Sequence, residues 1–271
     1  MMKMIKIGED LTSEHCKRMD KLLWSYADCF AMSVSEVRTV EGTVHKLNVP
    51  ENTAFSRKVH QWPLTPPQKE YLNSKIDEML EAGIIEPCQP DQVKCVSPTT
   101  LAQKAHESGG LTLKELQHKV NDQCIEAGLE PCFNLPPRLA PTQSSGTKSP
   151  NRPPKWRICQ NFGELNKVTE IAPMPQGDIR LKQLNISGHC WLMIFDFASG
   201  FYVVEVEEES RPYTAFYVEG RGYFWYLRMP FGLTGAPSSF AYMTATHLYD
   251  IIADGSIELF VDDELMTSKK V

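Results

Sequence analysis

From Lys155 onward the chain is a succession of short β-branched, apolar and aromatic runs, and this pattern constrains the fold more than any other feature. Trp156–Cys159, Cys190–Phe195, Tyr202–Val206, Thr214–Val218, Tyr223–Met229 and Ile257–Val261 all read as strands. Glu219-Gly220-Arg221-Gly222 has the turn chemistry to join two of them as a hairpin. A helix interrupts the series. Pro237 opens it, and Phe240, Met243, His247, Leu248 and Ile251 mark one side as far as about Ala253, where Asp254-Gly255 breaks it. Antiparallel strands with helices packed on one face predict an α+β architecture.

Upstream the period is helical. Met19, Leu22, Leu23, Tyr26 and Phe30 predict a helix from Ser13 to Phe30 with one apolar face. Residues 33–62 read as an extended connector, so 1–62 is expected to be an N-terminal helix plus connector and 63–271 the main domain. Thr65-Pro66-Pro67-Gln68 combines a capping box with proline in the first turn, and Gly83 closes the helix whose stripe is Tyr71, Leu72, Ile76, Met79 and Leu80. A third helix is expected near Thr112–Ala127. Pro131–Pro154 then holds seven prolines among Ser, Thr and Gly, the composition of a linker. This helix and linker, about 105–154, read as an insertion.

At 42% hydrophobic and 23% charged, the composition is that of a soluble globular protein. The apolar runs are too short to span a bilayer, and Met1–Asp10 lacks the apolar core of a secretion signal, so no membrane association is expected and the location is expected to be intracellular, by default cytoplasmic. None of the eight cysteines forms a Cys-x-x-Cys pair and no Cys/His spacing fits zinc, so reduced thiols are expected. Net charge is −6, with 9 Lys/Arg against 15 Asp/Glu in residues 156–271. A basic surface for nucleic-acid phosphates is therefore not evident in this stretch.

Two places concentrate carboxylates at strand ends. Phe260-Val261-Asp262-Asp263 puts two after the final apolar run, and Asp196 ends the run Trp191–Phe195. Taken singly, the Asp-Asp pair fits a solvated turn and Asp196 fits a turn cap. If the two strands are neighbours, their tips converge and the carboxylates can share Mg²⁺, which takes oxygen ligands. Two such ions stabilise the attacking and leaving oxygens of an in-line displacement at phosphorus.

Four blocks carry a family resemblance. They are Lys155–Thr169 (KWRICQNFGELNKVT), Phe195–Tyr202 (FDFASGFY), Met229–Pro237 (MPFGLTGAP) and Phe260–Asp263 (FVDD). In order and spacing they resemble gypsy-type LTR-retrotransposon reverse transcriptases, and Ile76–Ile85 resembles the helix that opens the fingers in that family. The resemblance implies a right-hand polymerase fold, fingers and palm. It implies an RNA-directed DNA polymerase, a Pol polyprotein fragment, using Mg²⁺ or Mn²⁺ and acting on an RNA/DNA template-primer with dNTPs. Asp196 and Asp262 would be metal ligands, and Asp263 would support the metal site and the primer end. Phe201 would be the aromatic gate that excludes a ribose 2′-hydroxyl; without the resemblance it reads as a core aromatic. Arg157 would grip the triphosphate, while Phe231 and Gly232 would line the nucleotide pocket. Leu165-Asn166-Lys167 and Arg228 keep a structural or weakly template-contacting reading. A retrotransposon particle or the nucleus would then join the cytoplasm as locations.

The sequence departs from the family pattern in three ways. The two fingers strands, usually joined by a short basic hairpin, are about fifty residues apart, leaving Lys104, Lys148 and Lys155 as candidates for the second basic contact. The metal motif begins Phe-Val where Tyr is commoner. The chain ends eight residues past Asp263, so thumb, RNase H and integrase are expected to be absent, possible contributions of a longer Pol product, and processive synthesis by this chain is expected to be weak. Two other readings stay open: an inactive, non-enzymatic retroelement remnant, and a viral RNA-dependent RNA polymerase palm, against which Phe201 argues.

Overall fold

The computed structural model describes residues 5, 11–56, 58–59, 61–103, 113–126, 128, 130–134, 156–173, 177–189, 191–260 and 263–268. These include α1 (Ser13–Ser25), β1 (Val44–His45), α2 (Pro66–Glu81), β2 (Ile85–Cys88), β3 (Thr99–Gln103), α3 (Leu113–Glu126), β4 (Trp156–Gln160), α4 (Gly163–Asn166), α5 (Ile179–Ile186) and β5 (Trp191–Asp196). Then come β6 (Glu205–Val206), β7 (Phe216–Val218), β8 (Gly222–Tyr226), α6 (Ala236–His247), α7 (Tyr249–Ala253), β9 (Ile257–Phe260) and β10 (Asp263–Ser268). The chain divides into two compact units, one of residues 1–100 with 158–271 and one of residues 101–157.

In the larger unit, β2-β8-β7 and β5-β10-β9 are antiparallel three-stranded sheets. The architecture is α+β, as the strand series predicts. The hairpin at 219–222 forms, joining β7 to β8. Phe216, Phe224 and Tyr226 bury their rings there, the first two stacked at 5.8 Å. Helix α2 has the expected start, with Gln68 Oε1 accepting from the Thr65 N–H at 2.9 Å, and it buries Leu72, Ile76 and Met79.

Several expectations are corrected. The first helix stops at Ser25, because Tyr26 leaves helical geometry at φ −117° and ψ 28°. Its apolar stripe is not covered: Leu22 and Tyr26 stay more than half exposed. The run at 202–206 is not one strand. Ser199 adopts φ +53°, a 3-10 turn follows at Gly200–Val203, and only Glu205–Val206 forms a strand. The Pro237–Ala253 helix breaks at Leu248 into α6 and α7. The final strand does not end at the Asp pair, since Asp263 begins β10. Thr112 and most of the Pro-rich stretch lie outside the described residues. Among those described, no helix is long and apolar enough to cross a membrane.

The 33–62 stretch is more than a connector. Val44 and His45 pair in parallel with Glu205 and Val206. Arg228 anchors the same stretch, donating to the Val37 carbonyl at 2.7 Å. His45 is 2% exposed, and its Nδ1 shares a hydrogen with Ser239 Oγ on α6 at 2.8 Å, while Nε2 is buried without a partner. Burial lowers its pKa from 6.5 to about 4. The unfolded chain then takes up a proton that the folded chain refuses, so stability is complete above pH 6.5 and falls as pH drops toward 4. The loss should reach about 3 kcal/mol. Denaturant unfolding at pH 7 and pH 4.5 should show this for the wild type and much less for His45→Gln. An equal pH dependence in the variant would clear His45 of the effect.

Candidate nucleotidyl-transfer site

Strands β5 and β10 hold the first two candidate carboxylates. Their antiparallel register sets Asp196 directly opposite Asp263, and Asp263 is also opposite Phe260 of β9. Both aspartates are exposed. Directly paired residues project to the same face, with Cβ atoms about 5 Å apart. Ile194 and Leu192 follow on that face at 73% and 59% exposure, so it is open along β5. Opposed like charges weaken a ladder. Stability alone therefore does not account for two carboxylates in register at the hairpin end.

Their oxygens are hard anionic donors, the type that Mg²⁺ and Mn²⁺ bind. The pair thus fits a divalent cation, although among the described residues no group of three or more His, Cys, Asp or Glu could hold one. Asp262, the remaining carboxylate of the set, lies outside the described residues. Glu264 projects to the opposite face from Asp263. It is half-buried with Oε1 unpartnered, and burial raises its carboxyl pKa.

Aromatic packing fixes the neighbouring turn. Phe201 packs at a tilt of 31° against Phe231 with centroids 4.9 Å apart and meets Phe240 of α6 at 5.5 Å. Tyr202 meets the edge of Phe231 at 5.6 Å, and Phe197 meets Phe240 at 5.3 Å. Gly200 is required at the centre: a Cβ there would lie 2.9 Å from Phe197 Cβ and 3.0 Å from Phe240 Cζ. Phe231 is 53% exposed, so one end of the cluster faces solvent.

Gly232 sits at φ +92°, a conformation that side-chain-bearing residues rarely adopt. Asn166 holds this turn from 66 residues away. Its Nδ2 donates to the Gly232 carbonyl at 2.9 Å, and its Oδ1 accepts from the Thr234 N–H at 2.9 Å. Asn166 therefore positions Phe231 and Gly232, a role more specific than the sequence reading gave it. The only sequence signal was its place in the Lys155–Thr169 block.

The candidates come together in part. Asp196 and Asp263 share one edge of a sheet, and Phe201 and Phe231 share one cluster. Arg157 is exposed on β4 and belongs to the smaller unit. Lys104, Lys148 and Lys155 lie outside the described residues.

Residues 146–270 match the model of the family described as reverse transcriptase (RNA-dependent DNA polymerase). The chain is 32% identical over 151 residues to the retrovirus-related Pol polyprotein from transposon 412 of Drosophila melanogaster, covering 55% of this chain and 12% of that protein. The prototype foamy virus protease-reverse transcriptase (CSH mutant) superposes with a TM-score of 0.68 at 16% identity, covering 96% of this chain and 28% of that one. The foamy viral protease-reverse transcriptase in complex with RNA/DNA hybrid gives 0.63 at 17% identity, covering 97% and 28%. These structures share the fold, that of polymerase fingers and palm. By sequence, residues 146–270 of this chain are similar to the reverse transcriptase family, and the chain shares the fold of the foamy virus enzymes.

Proposed function

We propose that the chain is the fingers-and-palm part of an RNA-directed DNA polymerase encoded by a gypsy-type retrotransposon. The register that opposes Asp196 to Asp263 is the observation that carries this reading. Asp196 and Asp262 would hold the divalent ions, Mg²⁺ or Mn²⁺, and Asp263 would complete the acidic edge. Bound there, the ions would neutralise charge on the reacting phosphate oxygens. The chain's own part is positioning. Phe201, backed by Phe231 and Phe240, presents a rigid ring where a sugar edge would lie. Asn166 holds the 231–234 turn in the shape that lets backbone approach a nucleotide. Arg157 offers a planar guanidinium suited to phosphate oxygens. The template-primer is proposed to be an RNA/DNA duplex, in keeping with the hybrid held by the foamy viral relative.

Primer extension on an RNA template with dNTPs and Mg²⁺ or Mn²⁺ tests the reading. At least single-nucleotide addition is expected from the wild type and none from Asp263→Asn. Equal extension by both proteins would sink it. Phe201 has a separate test. Replacing it with Val should raise ribonucleotide use relative to deoxyribonucleotide use by about 10-fold or more, since a steric gate discriminates by the space it denies. An unchanged ratio of kcat/KM values would return Phe201 to a purely structural role.

A further inference from the structure

Cysteines spaced without any recognisable motif meet in the smaller unit. Cys124 lies on α3 and Cys132 in the segment after it, with Sγ atoms 3.4 Å apart. Asn121, one turn before Cys124, fastens that segment to the helix. Its Nδ2 donates to the Phe133 carbonyl at 2.7 Å, and its Oδ1 accepts from the Phe133 N–H at 2.9 Å. The approach of the two thiols is therefore held by the Asn121 side chain, which bonds the Phe133 backbone beside them. Cys132 is exposed and Cys124 half-buried. Among the described side chains of α3 only Asn121 is buried, so packing contributes little to holding this helix against its own loop.

We infer that Cys124 and Cys132 are a thiol pair that closes to an intramolecular disulfide when it meets a low-molecular-weight disulfide, fixing α3 to the segment that follows. The exposed Cys132 thiolate attacks one sulfur of oxidised glutathione, giving a mixed disulfide and releasing one glutathione. Cys124, already in contact, then attacks the Cys132 sulfur and displaces the second glutathione. The two thiol protons leave with the two reduced glutathione molecules, and two electrons pass from the cysteine pair to the reagent. The hydrogen bond between the two thiols raises the Cys124 pKa, so the second step should quicken as pH rises.

The test treats the full chain with oxidised glutathione, alkylates the remaining thiols and identifies each cysteine by peptide mass. A cross-linked Cys124–Cys132 peptide is expected, with the cysteines of the larger unit alkylated. Cys124→Ser should instead stop at one glutathione on Cys132. The serine replaces a side chain that is partly exposed, so the variant keeps the fold. A wild-type protein that retains glutathione on Cys132 with Cys124 alkylated would overturn the inference, and so would a Cys132 that fails to react.

Discussion

Asp196→Asn should reduce nucleotide incorporation by about 10³-fold, because withdrawing several kcal/mol of metal-borne charge stabilisation slows the reaction tenfold for every ~1.4 kcal/mol. Asparagine keeps the shape and the strand position while removing the charge. Opposition to Asp263 also disappears, and relief of like-charge repulsion on the order of 0.5 kcal/mol should leave the melting temperature unchanged or slightly raised. Single-turnover incorporation and thermal melting, run on the same preparation, separate the two effects. Activity within tenfold of wild type in a folded variant would remove Asp196 from the chemistry.

Phe240→Ala is expected to cost about 3–5 kcal/mol of stability, the range for emptying a phenylalanine site in a packed core. Phe240 is fully buried on α6, and its ring touches both Phe197 and Phe201. The missing side chain of Gly200 makes room for it, with Phe240 Cζ only 3.0 Å from where a Cβ would stand. Removing the ring leaves a cavity under the turn that carries Phe201. Denaturant unfolding measures the loss, and Phe240→Leu should recover part of it. A loss below about 1 kcal/mol would mean that the cluster rearranges to fill the space.

The aromatic cluster also illustrates what the sequence could and could not tell. Phe201, Tyr202, Val203 and Val204 have strong β preference, which predicts a strand. The chain instead turns at Ser199 and buries Gly200 against α6, so tertiary packing overrides local preference. Strand β10 is hidden in the sequence for a related reason. Asp-Glu-Leu-Met-Thr-Ser begins with two charges and resembles a strand's exit, yet it is the central strand of its sheet. The two ends that matter, Asp196 after an apolar run and Asp263 after Phe260-Val261-Asp262, read singly as ordinary turns and were legible as a site because the blocks that hold them resemble a known family in order and spacing. Their register was not, since pairing depends on a hairpin whose second strand opens on two charges and carries no strand-like pattern. The Asn166 clamp was equally hidden. A side chain that holds a turn 66 positions away leaves no periodic trace.

The most direct measurement is Mn²⁺ binding to the free chain, followed by electron paramagnetic resonance without nucleotide or primer. Wild-type protein should bind Mn²⁺, and Asp196→Asn and Asp263→Asn should each weaken that binding by about tenfold or more, as expected when one of a few anionic ligands is lost. The two variants should behave alike if the opposed carboxylates serve one site. Binding that survives both substitutions unchanged would contradict a shared cation site at the β5–β10 edge.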